Sequence, residues 1–256
     1  MNSTEKITCI IQARTGSERL PNKVLEEIEN LPMICHIINR IKKAKNVNQI
    51  ILATSNTKSD KILLNIAKKY KIIGFTGDEK DVLDRFYNAA RTYSANPIIR
   101  ITGDCPLIDP ILLYKMVEFY QKHDYDYVSN TIERTFPDGL DIEIFSFETL
   151  KKAHDESKWL SEREHVTPYI LKNKNKFKIY NYKNKQNLSS LRWCVDEEND
   201  LIMIKRIFQE MRPTQFFSTD DILKMLLEKP DISQINKGIT TNEGYKKSLQ
   251  NDRIIR

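Results

Sequence analysis

The chain has 256 residues, 40% of them hydrophobic and 30% charged, and a formal net charge of +6 from 41 Lys+Arg against 35 Asp+Glu. That allows one sizeable core, and a mild basic excess without a polybasic run suits a small anionic ligand while arguing against nucleic acid as a partner. Cys9, Cys35, Cys105 and Cys194 show neither a Cys-x-x-Cys pair nor His at ligand spacing, Met1 to Lys6 is too polar for a signal peptide, and no apolar stretch approaches the roughly 18 residues of a membrane span, so a cytoplasmic protein with reduced thiols is expected.

The first element is the apolar run Ile7 to Ile11, which reads as a buried parallel strand. It empties into a turn-rich loop that gathers Arg14, Arg19 and Lys23 around Gly16 and Ser17. Flexible backbone with exposed N–H groups and clustered cations is suited to phosphate oxygens, and the carboxyl end of a strand is where open α/β sheets bind ligands. Pro32 to Ala44 follows as an amphipathic helix, Asn48 to Thr54 as a strand, Ser59 to Tyr70 as a helix and Lys71 to Thr76 as a strand. Gly77 to Lys80 turns into a helix over Asp81 to Tyr93, with Asp81 as its cap and a candidate nucleotide contact.

Pro97 to Thr102 is the next strand. Gly103 and Asp104 emerge at its carboxyl end, and Asp109 caps a helix that has Pro110 at its first position. A carboxylate there, facing a cationic loop, is a candidate to hold Mg²⁺ against phosphates. Strands are expected at Tyr125 to Thr131 and Leu140 to Phe145, and helices at Ser146 to Asp155 and Ser161 to Asn173. Within them Asp141 and Glu143 share one strand face, and Arg163 and His165 crowd a helix, as candidates to line a pocket for a polar acceptor. Lys172 to Asn187, rich in Lys and Asn, reads as a mobile excursion, with strands at Phe177 to Tyr182 and Leu191 to Val195. Asp196 ends the second of these as a second candidate metal ligand; Arg192 is assigned no role and Asp200 serves the dipole of the helix Glu198 to Met211. The β-α-β-α rhythm implies a mostly parallel sheet with helices on both faces. One domain over residues 1–229, with an acceptor or dimerisation excursion at about 125–190 and a polar tail at 230–256, is the expected organisation.

Ile11-Gln12-Ala13-Arg14-x-Gly16-Ser17-x-Arg19-Leu20-Pro21-x-Lys23, Thr102-Gly103-Asp104-Cys105-Pro106-Leu107 and Val195-Asp196 together resemble the triphosphate loop and metal-binding segments of the cytidylyltransferases typified by CMP-Kdo and CMP-acylneuraminate synthetases. Asp81-Val82-Leu83-Asp84-Arg85, Phe136-Pro137-Asp138-Gly139-Leu140-Asp141 and Arg163-Glu164-His165-Val166-Thr167-Pro168-Tyr169 resemble the SpsF branch of spore-coat polysaccharide biosynthesis. The resemblance implies a Rossmann-like nucleotide-diphospho-sugar transferase fold, a homodimer, and Mg²⁺-dependent transfer of CMP from CTP to an acidic sugar. It implies nucleotide contacts at Gln12, Ala13, Arg14, Gly16, Ser17, Arg19, Lys23, Thr54, Asp81 and Gly103, with Arg14, Lys23 and Asp104 catalytic. Asp104 and Asp196 would bind the metal, and Asp138, Asp141, Glu143, Arg163 and His165 the acceptor. Where the family usually has Gly before the loop lysine, this chain has Asn22, which tolerates a left-handed backbone. Two alternatives stand beside this reading. One is a glycosyltransferase of the same fold using Asp124-Tyr125-Asp126, a segment that otherwise reads as a turn; the other is a non-catalytic nucleotide sensor, supported only by Asn22.

Overall fold

Every side chain from Ile7 to Ile11 is buried, as a strand covered on both faces requires. In a computed structural model, which describes residues 6–214, 216–239 and 243–255, these residues form the core of β1 (Lys6–Gln12). The chain continues through a short hairpin, β2 (Glu27–Ile28) and β3 (Leu31–Pro32), then α1 (Met33–Ile41), β4 (Gln49–Ser55), α2 (Lys61–Lys69) and β5 (Ile73–Gly77). Next come α3 (Val82–Thr92), β6 (Ala95–Thr102), α4 (Pro110–Lys122), β7 (Tyr127–Ser129), β8 (Glu143–Phe145) and α5 (Phe147–Glu156). The last elements are α6 (Leu160–His165), α7 (Pro168–Lys172), β9 (Ile179–Asn181), α8 (Glu198–Glu210), α9 (Thr219–Glu228) and α10 (Glu243–Gln250). None of these helices is long and apolar enough to cross a membrane. Met1 to Glu5, within the stretch read as free of a signal peptide, lies outside the described residues.

Seven described strands make one sheet in the order β5-β4-β1-β6-β8-β7-β9, in which β8 alone runs antiparallel to its neighbours. This is the Rossmann-like, mostly parallel sheet expected of the chain. The period-2 alternation of the strands divides the core in two. Ile7, Cys9, Ile11, Leu52, Ile99 and Ile101 face α1, α4 and α8, whereas Ile10, Ile51, Ala53 and Ile98 face α3, α5 and α7. Strand order reverses between β1 and β6, so the loops leaving these two strands flank a crevice.

Several expected elements differ. Ser161 to Asn173 is two helices, because Val166 takes φ 72° and ψ −53° and Pro168 opens the second. Leu191 to Val195 is no strand but makes a single bridge, Asp138 to Arg192, since Arg192 is drawn inward to three acids. Lys172 to Asn187 includes β9, paired with β7 in the register Tyr127 to Ile179. The hairpin at Glu27 to Pro32 had no Asn-Gly signal; Glu29 and Asn30 supply the two positive φ values, 49° and 62°, that such a turn needs. The 230–256 stretch, read as a polar tail, contains α10, which packs on α6 through Ser248.

Gly139 carries φ +110°, and a Cβ there would lie 2.5 Å from the backbone N of Cys194 and C of Trp193. Gly139→Ala is therefore expected to lower the unfolding free energy by about 3 kcal/mol. Urea unfolding checks this, and a loss under about 1 kcal/mol would mean that the two segments separate easily.

Candidate active site

The loop after β1 and the loop after β6 touch at their first residues: the N–H of Gly103 donates to the carbonyl of Gln12 at 2.7 Å. A Cβ on residue 103 would lie 2.8 Å from Ala13 Cβ and 2.9 Å from that same carbonyl, so only glycine permits the approach. The β1 loop then folds on itself, Ser17 N and Asn22 N both donating to Thr15 O. Asn22 takes the left-handed conformation at φ 59°, ψ 16°, as a glycine would, and directs Lys23 into the crevice. This removes the one feature that favoured a non-catalytic sensor.

The loop is anchored from behind by Asp60, at the start of α2. Its carboxylate accepts from Thr15 N (2.8 Å), Thr15 Oγ1 (2.7 Å), Thr54 Oγ1 (2.9 Å), Ser55 N (3.2 Å) and Ser55 Oγ (2.6 Å). Burial opposes the charge, but these donors together hold the carboxyl below the ordinary aspartate range.

Lys23 lies where the two expected metal ligands meet. Its Nζ is 3.1 Å from Asp104 Oδ2, 2.8 Å from Asp196 Oδ1 and 2.8 Å from the carbonyl of Val195. Burial works against the ammonium, yet the two carboxylates hold it above the ordinary lysine range. Burial likewise works against the Asp104 charge, and Lys23 and Thr102 hold that carboxyl well below its usual value. Arg19 reaches Asp196 Oδ1 at 2.9 Å and also pairs with Glu197 and Glu243. Arg14, half-exposed, pairs with Glu79 at 3.4 Å.

Asp196 is fixed from its other side by Arg192, which sequence reasoning left without a role. Arg192 is buried and forks to Asp200 (2.9 and 3.0 Å), Asp196 Oδ2 (2.9 Å) and Asp138 Oδ2 (3.2 Å). Asp200, fully buried, also accepts from the backbone N–H groups of Asp196 and Glu197 and from Asn236, so it does far more than serve the α8 dipole. The signal was present in the spacing: Asp196 and Asp200 stand four and eight residues beyond Arg192.

Two connected cavities open from this centre. A larger one of about 890 Å³ is lined by Gln12, Ala13, Arg14, Ser17, Arg19, Lys23, Gly103, Asp104 and Asp196. A smaller one of about 380 Å³ shares Arg19, Asp104 and Asp196 and adds Arg100, Arg134, Asp138, Asp141, Glu143 and His165. In the smaller cavity Arg134 holds Asp141 with both terminal nitrogens, at 2.5 and 2.8 Å, and Asp138 at 3.3 Å. Glu143 accepts from Arg100, Tyr127 and, at 2.7 Å, Thr167. Burial and the neighbouring Asp141 push the Asp138 carboxyl up. α10, expected to be a polar tail, contributes Glu243 and Gly244 to both cavities, Lys246 and Lys247 to the larger and Tyr245 to the smaller.

Four sequence-predicted residues do not reach these cavities. Thr54 is fully buried and spent on Asp60. Asp81 caps α3 and grips the buried Arg163, whose Nε lies 2.9 Å from each Asp81 oxygen and whose NH1 donates to the carbonyl of His154, so the pair braces α6 against α3. Gly16 faces Glu79 instead of lining the larger cavity. Asp124-Tyr125-Asp126 sits beside β9, where Asp126 accepts from Lys178 N at 2.7 Å and Asp124 pairs with the Lys178 side chain; neither carboxylate lines either of these two cavities. The motif that the glycosyltransferase reading needs is thus far from the loop of cations in the fold.

A cationic loop facing paired carboxylates at a switch point, with a second chamber alongside, defines a nucleotidyltransferase-type site. Residues 8–240 match the family model described as cytidylyltransferase, and the chain belongs to that family. It is 38% identical over 238 residues to an uncharacterized protein of Methanocaldococcus jannaschii, covering 91% of this chain and 96% of that protein. It is 30% identical to the spore coat polysaccharide biosynthesis protein SpsF of Bacillus subtilis, over 88% of this chain and 95% of that protein. A solved cytidylyltransferase from Leptospira borgpetersenii superposes with a TM-score of 0.88 at 33% identity, over 92% of this chain and 99% of that one.

Asp60→Asn keeps the shape of the anchor and removes its charge, and should destabilise the fold by about 2–3 kcal/mol at pH 7. Because the folded carboxyl titrates below the unfolded value of 3.8, its stabilisation is complete above that pH and is lost as pH falls through the lower folded value. The gap between wild type and variant in urea unfolding should therefore narrow below about pH 4; a gap independent of pH would refute the charged anchor.

Proposed function

We propose that the protein transfers CMP from CTP to a hydroxyl oxygen of an acidic sugar, releasing pyrophosphate, in the synthesis of a surface polysaccharide. The observation that carries this reading is the meeting of Lys23 with Asp104 and Asp196 at the junction of two cavities. The larger has room for a nucleoside triphosphate against Arg14, Arg19 and Lys23, and the smaller for a sugar. Family membership, the likeness to SpsF and the resemblance to CMP-Kdo synthetases support cytosine as the base and a sugar acid as the acceptor.

Asp104 and Asp196 are an all-oxygen donor pair that one cation, the Lys23 ammonium, already bridges, and such a pair fits Mg²⁺. When bound, Mg²⁺ would supply charge neutralisation at the α-phosphate. Arg14, Arg19 and Lys23 would face the β- and γ-phosphates and stabilise the departing pyrophosphate. Arg100 and Arg134, held in orientation by Glu143 and by the Asp138–Asp141 pair, would seat the acceptor. The acceptor oxygen attacks the α-phosphorus in line, so positioning and charge stabilisation do most of the work. We take the enzyme to act as a cytoplasmic homodimer, in keeping with the resemblance.

Purified protein incubated with Mg²⁺, each of the four NTPs and a pool of acidic sugars should release pyrophosphate only with CTP and an acceptor together. Asp104→Ala should cut that release about a thousandfold while the protein stays folded by circular dichroism. Near-normal release by this variant, or release from a nucleotide sugar in place of CTP, would sink the assignment.

A further inference from the structure

In-line attack by a sugar hydroxyl needs somewhere for its proton to go, and the loop of cations offers no base. His165, in the acceptor cavity, is held in a way that its neighbours explain only in part. It ends α6, and the chain leaves it through a γ-turn of positive φ: Thr167 N donates to His165 O at 2.9 Å across Val166, at φ 72°, ψ −53°. A β-branched residue in that conformation is strained by on the order of 1–3 kcal/mol. The turn leaves His165 and Thr167 both on the acceptor cavity, with Thr167 Oγ1 on Glu143.

The imidazole is oriented by α10. His165 Nε2 lies 2.9 Å from Ser248 Oγ, and the buried Ser248 hydroxyl donates its single hydrogen to Glu164 Oε2 at 2.7 Å. A carboxylate only accepts, so the Ser248 oxygen is left to accept from Nε2–H. That fixes the neutral tautomer with the lone pair on Nδ1. The Tyr245 ring packs edge-on against the imidazole at 5.1 Å. The charged groups acting on it are Glu164 of its own helix and Arg100 and Glu143 from the sheet; burial, the largest influence, keeps its pKa below the ordinary value.

We propose that His165 is the general base of the transfer, with Ser248 and Glu164 as the residues that position it. The inference rests on the proposed cytidylyl transfer. His165 Nδ1 takes the proton of the acceptor hydroxyl as its oxygen forms the bond to the α-phosphorus. The bond from the α-phosphorus to the bridging oxygen breaks, and pyrophosphate leaves with the electron pair. The imidazolium then returns its proton to solvent. Ser248 lies beyond residues 8–240 that the family model matches, so the tautomer of a residue inside the matched stretch is set by a helix outside it.

The test has two arms. With CTP and acceptor saturating, wild-type kcat should rise with pH through a value below 6.5 and then level. His165→Asn should lose that limb together with about a hundredfold in kcat, with acceptor KM nearly unchanged. Ser248→Ala should lose about tenfold in kcat while the protein stays folded by circular dichroism. Retention of kcat and of the acid limb by His165→Asn overturns the proposal. In the second arm, ¹⁵N NMR of the substrate-free protein at pH 7.5 should show His165 neutral and protonated at Nε2, with the tautomers mixing in Ser248→Ala. A proton found on Nδ1 overturns the proposal as well. The NMR arm needs no turnover, so a failure of cytidylyl transfer, seen as no pyrophosphate from any pair with wild type, is distinguishable from a failure of the base.

Discussion

A lysine ammonium held between two carboxylates organises this molecule. Lys23 comes from the loop after β1, Asp104 from the loop after β6, and Asp196 from the segment that leads into α8. Lys23 and Asp104 would each carry an unpaired charge in a poorly solvated crevice were the other members absent, and an uncompensated buried charge is far more costly than a missing contact. The three segments are therefore obliged to meet. The surrounding framework serves that meeting: Gly103 lets the two loops touch, Asn22 turns Lys23 inward, Asp60 fastens the loop to β4, and Arg192 fixes the far oxygen of Asp196.

The same arrangement couples the two cavities. Arg192 binds Asp196 and Asp138 through different nitrogens of one planar fork, and Asp138 shares Arg134 with Asp141. A guanidinium in such a network constrains direction as well as charge. The centre at Asp104 and Asp196 is thus joined through rigid hydrogen bonds to the wall on which an acceptor would sit. On the opposite wall, α10 lies across α6, and its Glu243 draws on the Arg19 that also holds Asp196. A helix at the very end of the chain and a loop near its start share one arginine.

Much of the fold was legible because it follows from local rules. Apolar runs that alternate with amphipathic stretches give a parallel sheet covered on both faces, and Asp109 followed by Pro110 announces a helix start that α4 takes. The loop of cations and Asp104 were legible for a related reason, since residue type and position after a strand place them at one edge, and Asp196 was legible as an acid just before the start of α8. What failed was reading partners across the chain. Arg163 and Asp81 have the charge of site residues, yet 82 positions apart they satisfy each other inside the protein. Thr54 meets Asp60 instead of a ligand. Arg192 read as a residue without a role and Asp200 as one serving the helix dipole because nothing local reveals that Asp138 and Asn236 close around them.

Local sequence was enough for the alternation of strands and helices from β4 to α5, the cationic loop, the two aspartates that face it and the family to which the chain is similar, since each depends on residues within a single element or turn. Tertiary structure alone decided that Lys23 bridges those aspartates, that Arg163 is a brace and Arg192 an organiser, and that the polar C-terminal stretch becomes α10 against His165. These outcomes depend on which charges share a buried space. The energy of burying a charge is set by partners that arrive from distant parts of the chain, and only the assembled fold brings them together.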